Sequence, residues 1–123
     1  MNDNTLLTNI NAEAAVLGSM LLDRDCISPV KGILRDDCYF SLIEHRILFN
    51  CLCALSETSN GWDLVIVRDA LKNINSLEAI GGTDYLVRLI EHVPSSASAI
   101  YYTELVLTAY KRRRMTEQAD SLR

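Results

Sequence analysis

The sequence predicts an all-α fold: a compact head of about four to five short helices, followed by a C-terminal antiparallel helical hairpin. Three observations carry this. Apolar residues recur at helical spacing along almost the whole chain. Capping and breaking residues bracket those stretches. Only Leu64-Val65-Ile66-Val67 resembles a buried strand, and no second run is available to pair with it. With 123 residues and 49% hydrophobic content, the chain can bury one real core.

Residues 1–10 read as a flexible N-terminal tail, 11–80 as the head and 81–123 as the hairpin. Asn11 is the expected N-cap of the first helix, with Glu13 in its first turn and Ala15, Val16, Leu17, Met20, Leu21 and Leu22 as its apolar face. Ser28-Pro29 predicts the N-cap and first position of a short helix reaching Leu34. Ser41-Leu42-Ile43-Glu44 has the form of a capping box opening a strongly apolar helix, which Asn60-Gly61 is expected to stop. Leu64, Val67, Leu71 and Ile74 repeat at helical spacing behind Asp63, so a helix capped by Asp63 is preferred to a strand.

Gly81-Gly82 punctuates, and Thr83 or Asp84 is expected to cap the first hairpin arm. Pro94-Ser95-Ser96 makes the corner, because the residue before a proline avoids the helical region. The second arm begins near Ser98. Its stripe of Tyr101, Leu105, Ala109, Met115, Ala119 and Leu122, flanked by Tyr102, Val106 and Tyr110, is wider than the shorter arm can cover. The surplus is expected to be buried against another copy or another domain. From this, Tyr85, Leu89, Val93, Tyr101, Tyr102, Leu105, Val106, Ala109 and Tyr110 are the candidate oligomer or partner interface, with Tyr85 evenly balanced between partner contact and core packing. The helical pattern runs on through Asp120-Ser121-Leu122-Arg123 without a stop signal, which predicts an artificial boundary rather than a natural terminus.

Composition excludes several classes. The chain is 23% charged, an ordinary value for a soluble protein. No apolar run approaches the roughly 20 residues needed to cross a bilayer, and the N-terminus has no basic-then-apolar leader. Residues 1–110 carry 7 basic and 14 acidic groups, which would repel a phosphate backbone. Only Lys111, Arg112, Arg113 and Arg114 can attract DNA, and a solvated basic turn or linker contact is the favoured reading of that run. Cys26, Cys38, Cys51 and Cys53 form no C-x-x-C pair, and read as reduced, mostly buried side chains of an intracellular, cytoplasmic protein.

No G-x-x-x-x-G-K-[ST] phosphate loop and no nucleophile motif is present. The aspartate pairs 23/25 and 36/37 fall at turns, where solvated residues are the default. Catalytic, metal and cofactor-binding residues are therefore expected to be none, and the chain is not expected to be an enzyme. His45, Arg46, Asp63, Gly81 and Gly82 are read as fold-determining, with Arg46 paired to an acid such as Asp63 or Asp37.

In order along the chain, Ala12-Glu13-Ala14-Ala15-Val16-Leu17-Gly18, Asp37-Cys38-Tyr39-Phe40, His45-Arg46 with Phe49, Asn60-Gly61-Trp62-Asp63, Leu77 to Leu86 around Gly81-Gly82, and Pro94-Ser95-Ser96 with Tyr102 and Arg113-Arg114 form a connected set of landmarks. The set resembles the N-terminal domain of DnaB-type replicative DNA helicases over about residues 11–115. Cys38, Trp62 and Ser98 depart from the family pattern, which bears on partner specificity more than on fold. The resemblance implies a collar and assembly domain, dimeric through its hairpins and hexameric in the full-length protein, that docks primase and a helicase loader. It also implies that a linker and an ATPase domain, which would bind ATP and Mg and contact the DNA, belong to the parent protein. The alternative is a free-standing helical adaptor or inhibitor that mimics the collar.

Overall fold

A computed structural model describes the backbone of residues 3–58 and 61–121, and side chains over 9–58 and 61–117. Six α-helices form among the described residues: α1 (Asp3–Leu22), α2 (Ile27–Ile33), α3 (Ile43–Ser56), α4 (Leu64–Asn73), α5 (Gly82–His92) and α6 (Ala99–Ser121). The described residues form no strand, and Leu64 to Val67 open α4 as expected, with Asp63 accepting from the Ile66 amide at 2.9 Å. Among the described residues no helix is long and apolar enough to cross a membrane.

Several local signals are not followed by the structure. The first helix starts at Asp3 rather than at Asn11, so the segment expected as a tail is helical from Asp3 onward. A 3-10 turn over Arg24–Cys26, capped by Asp23, runs directly into α2, so Cys26 and not Ser28 takes the cap position. The Ser41 capping box does not form. Leu42 is the N-cap of α3, and Ser41 instead turns its amide and hydroxyl toward Glu13. α3 ends at Ser56, ahead of the expected Asn60-Gly61 stop, of which Asn60 lies outside the described residues. Gly81, at φ 108°, caps α5 itself in place of Thr83 or Asp84, a conformation that favours glycine. Ser95 caps the 3-10 turn Ser96–Ser98 that leads into α6.

The core is one cluster. Val16, Leu17 and Met20 of α1 meet Phe40, Leu48, Phe49 and Leu52 around α3, and Leu86, Leu89 and Val106 belong to the same cluster. α1 is its axis: both α5 and α6 make their main contacts with α1. The corner at Pro94 joins the two arms as expected, but each arm closes on α1 more than on the other. Residues 81–110 are thus continuous with the packing of 11–80. Close approach of α1 and α5 occurs at Gly18, where a Cβ would meet the Leu89 carbonyl and the Val93 side chain.

Candidate interaction surface

Two features position the surface that this fold presents. The first is a polar network inside the core. Glu13 and His45 are fully buried, yet each is bonded. The Glu13 carboxylate accepts the Ser41 amide at 2.9 Å and hydroxyl at 2.6 Å through Oε2, and faces His45 Nδ1 at 2.8 Å through Oε1. An ionised carboxylate only accepts, so Nδ1 carries a hydrogen, and Nε2 pairs with the Tyr85 hydroxyl. Burial alone would raise the Glu13 pKa. The hydrogen bonds from His45 and Ser41 outweigh it and hold the carboxyl below its ordinary value. Tyr85 is pushed up, by burial first and then by the negative charges of Glu44 and Glu13.

This arrangement resembles a catalytic relay in composition only. Ser41 donates to the carboxylate and does not meet the imidazole, so no base activates its oxygen. What the network does is tie α1, the segment before α3, α3 and α5 together, leaving no buried side-chain nitrogen or oxygen without a partner among the described residues. Among those residues no group of three or more His, Cys, Asp or Glu side chains is placed to hold a metal ion.

The second feature is α6. The sequence presents it as one apolar stripe, but the structure divides it into two faces. Val106 and Ala109 are buried against the rest of the chain, as are Leu89 and Val93 of α5. These four are internal core, because α1 supplies the cover that a partner was expected to provide. Tyr85 is half-buried and spends its hydroxyl on His45. Tyr102, Leu105 and Tyr110 are half-buried, with Tyr102 and Leu105 lining a crevice against Ala12 and Ala15 of α1. Tyr101 is 62% exposed and Met115 68% exposed, both on the outer face.

The basic run also divides. Arg113 donates to the Tyr39 carbonyl at 2.9 Å and lies 5.9 Å from the centre of the Tyr110 ring, which itself packs on Tyr39 at 4.5 Å. Arg114 lies 3.5 Å from Glu117, and Lys111 and Arg112 are exposed. Arg46 bonds neither Asp63 nor Asp37; its Nε donates to the Phe40 carbonyl at 2.7 Å. Asp37 instead accepts from Asn50, and Asp63 serves as the α4 cap. Of the cysteines only Cys51 is buried; Cys26, Cys38 and Cys53 are partly exposed free thiols, contrary to the mostly buried reading, because each sits at an element end or the rim of α3. Between α3 and α4 an open groove of about 480 Å³ is lined mainly by Ile47, Cys51, Ala54, Leu55, Ala70 and Ile74.

Sequence reasoning placed Glu13 as a first-turn acid and missed its buried role. The signal was present: Glu13 stands among Ala12, Val16 and Leu17, on the side of the helix that faces the core. Trp62 was likewise missed as an anchor. Its indole donates to the Met20 and Leu21 carbonyls at 3.0 and 3.2 Å, capping the end of α1, while Arg24 lies 5.7 Å from its ring centre. Arg24 also donates to the Ser56 carbonyl at 2.7 Å and to that of Thr58.

Comparison with known proteins bears on what this surface is for. Residues 5–108 match the family model for the DnaB-like helicase N terminal domain. The chain is 34% identical over 111 residues to a replicative DNA helicase DnaB of Treponema pallidum (strain Nichols), a match covering 90% of this chain and 25% of that protein. It is 30% identical over 122 residues to the replicative DNA helicase DnaC of Bacillus subtilis (strain 168), covering 99% and 27% respectively. Among solved structures, the N-terminal domain of DnaB helicase from Mycobacterium tuberculosis superposes with a TM-score of 0.85 at 34% identity, over 90% of this chain and 76% of that one. The chain spans about a quarter of the length of these curated relatives.

Proposed function

Because this chain belongs to the family of DnaB-like helicase N-terminal domains, we propose that it works as the collar and assembly domain of a cytoplasmic, hexameric replicative DNA helicase. In this reading it holds copies in register and offers a docking surface for primase or a helicase loader. ATP, Mg and the DNA track belong to a motor domain of the parent protein, which performs the unwinding.

The observation that carries the reading is the division of α6. One face is consumed by α1, and the opposite face leaves Tyr101 and Met115 in solvent on a helix of 23 residues. Exposed apolar side chains sharing one face of a long helix suit an association surface. The acidic body argues against DNA as the main ligand of this domain, since phosphate binding needs clustered cations.

The test has two parts. Sedimentation equilibrium should show reversible self-association of the chain, and fluorescence anisotropy should show binding to a purified replicative primase or loader. A chain that stays monomeric at high concentration and binds neither protein would overturn the collar reading.

A further inference from the structure

The groove between α3 and α4, about 480 Å³ and open to solvent, has apolar walls. Ile47, Cys51, Ala54 and Leu55 of α3 line one side, with Ala70 of α4 and Ile74 at its end on the other. Large apolar side chains stay in solvent here. Ile74 is 57% exposed, and Ile43, one turn ahead of Ile47 on α3, is 65% exposed. The three polar residues of the lining each donate within the chain: Asn50 Nδ2 to Asp37 at 2.8 Å, Thr58 Oγ1 to the Leu55 carbonyl at 2.7 Å and Ser76 Oγ to the Ile74 carbonyl at 3.2 Å. Such a lining receives apolar side chains and offers little to a polar small molecule.

The surrounding charges say what should accompany those side chains. Asp37 holds Asn50, Glu44 stands one turn before Ile47, Glu57 precedes Thr58, and Glu78 follows Ser76 by two residues. The cations of the same segments are engaged or turned away. Arg46 donates to the Phe40 carbonyl, Arg68 pairs with Asp69 at 3.2 Å, and Lys31 pairs with Glu57 at 3.7 Å. Lys72 stands two residues from both Ala70 and Ile74, which sets it about 200° round the helix from them, on the far side of α4. The groove is apolar inside and acidic at its rim.

We propose that this groove docks an amphipathic helix of a partner protein, with its apolar side chains between α3 and α4 and its flanking lysines or arginines over Asp37, Glu44 and Glu57. This rests on the reading of the domain as a docking platform, and adds the face used and the chemistry of the partner. From Ile47 to Thr58 the lining runs about 16 Å along the α3 side, or three helical turns, which suits apolar residues at i, i+4 and i+7 of the incoming helix. Ala54 and Ala70, one from each helix, are small enough to let its backbone come close. The same acids oppose a nucleic-acid occupant, whose phosphates they would repel. The surface lies on α3 and α4, apart from the α6 face that carries the assembly reading.

The probe is a fluorescent helical peptide of about 15 residues, mainly alanine, with leucines at i, i+4 and i+7 and lysines flanking them. Its control carries glutamate in place of each lysine. Anisotropy with the whole chain should show saturable binding of the lysine peptide and roughly tenfold weaker binding of the glutamate peptide. Ala54→Arg, at an exposed position, should weaken the lysine peptide by roughly tenfold as well, because it fills the groove with a like charge. Amide resonances of the isotope-labelled wild-type chain should shift along α3 and α4 when the lysine peptide is added, a readout that needs no variant. The proposal is overturned if the lysine peptide does not bind, if both peptides bind equally, or if the shifts gather on another face. Shifts along α3 and α4 on concentrating the chain alone would make a second copy the occupant, and overturn the partner assignment. If the peptide fails while the chain self-associates or binds a purified primase or loader, the groove is overturned and the collar reading stands. If the groove holds the peptide but the chain neither self-associates nor binds those proteins, the collar reading alone fails.

Discussion

His45 Nδ1 and Glu13 Oε1 lie 2.8 Å apart inside a largely apolar core, and this bond joins α3 to α1. A charge held there is tolerated because Ser41 supplies two further donors to the same carboxylate. Removing one member leaves the others buried without partners, which costs more than the bond itself contributes. Glu13→Ala is therefore expected to destabilise the domain by about 3 kcal/mol or more in urea unfolding. A loss below about 1 kcal/mol would mean that water replaces the carboxylate.

Acid should weaken the fold through the same group. The Glu13 carboxyl titrates below its ordinary 4.5 in the folded chain. A carboxyl more acidic when folded than when unfolded stabilises above the unfolded pKa, and that stability is lost as pH falls through the folded value. The urea midpoint should fall below pH 4.5, and Glu13→Gln should flatten the fall. A wild-type and a Glu13→Gln profile that run parallel through that range would rule out this origin.

Tyr85→Phe removes the hydroxyl that serves His45 Nε2 and keeps the ring. The ring nitrogen left without a partner is expected to cost about 1–2 kcal/mol. The raised Tyr85 pKa adds a second signature at the alkaline end: the folded chain holds this proton above pH 10, so its stability contribution falls as pH rises past 10. Phenylalanine should abolish that part of the alkaline loss, as read by denaturant titration across pH 9 to 11.

Gly18→Ala should destabilise although alanine is the better helix former by about 1 kcal/mol. Its Cβ would press on the Leu89 carbonyl, a backbone atom that cannot rotate away, and would lie 2.9 Å from Val93 Cγ2. Overpacking of this kind costs about 1–3 kcal/mol, so a lower thermal midpoint is expected. A higher midpoint would show that α5 can shift outward freely.

Trp62 is the only tryptophan of the chain, so its fluorescence reports directly on the end of α1. Trp62→Phe keeps an aromatic ring beside Arg24 but deletes the donor to Met20 and Leu21. A loss of about 1–2 kcal/mol is expected by circular dichroism. No change would mean that those carbonyls are satisfied by solvent.

The all-helical class, the Asp63 cap and the helical reading of Leu64 to Val67 were determined by the sequence alone. Each depends on periodicity or on a cap two or three residues away, and such short-range rules act before any tertiary contact forms. The family was legible for a different reason: its landmarks hold their order and spacing along most of the chain. What only the tertiary structure decided is which helix covers which. Ser41 has the form of a cap, yet it serves Glu13, because a buried carboxylate outbids a helix end that the preceding turn can close. Leu89, Val93, Val106 and Ala109 have the pattern of an interface, yet α1 covers them. A stripe of apolar residues states only that something must exclude water there. Whether that is α1 or a second copy depends on long-range packing that no local pattern encodes.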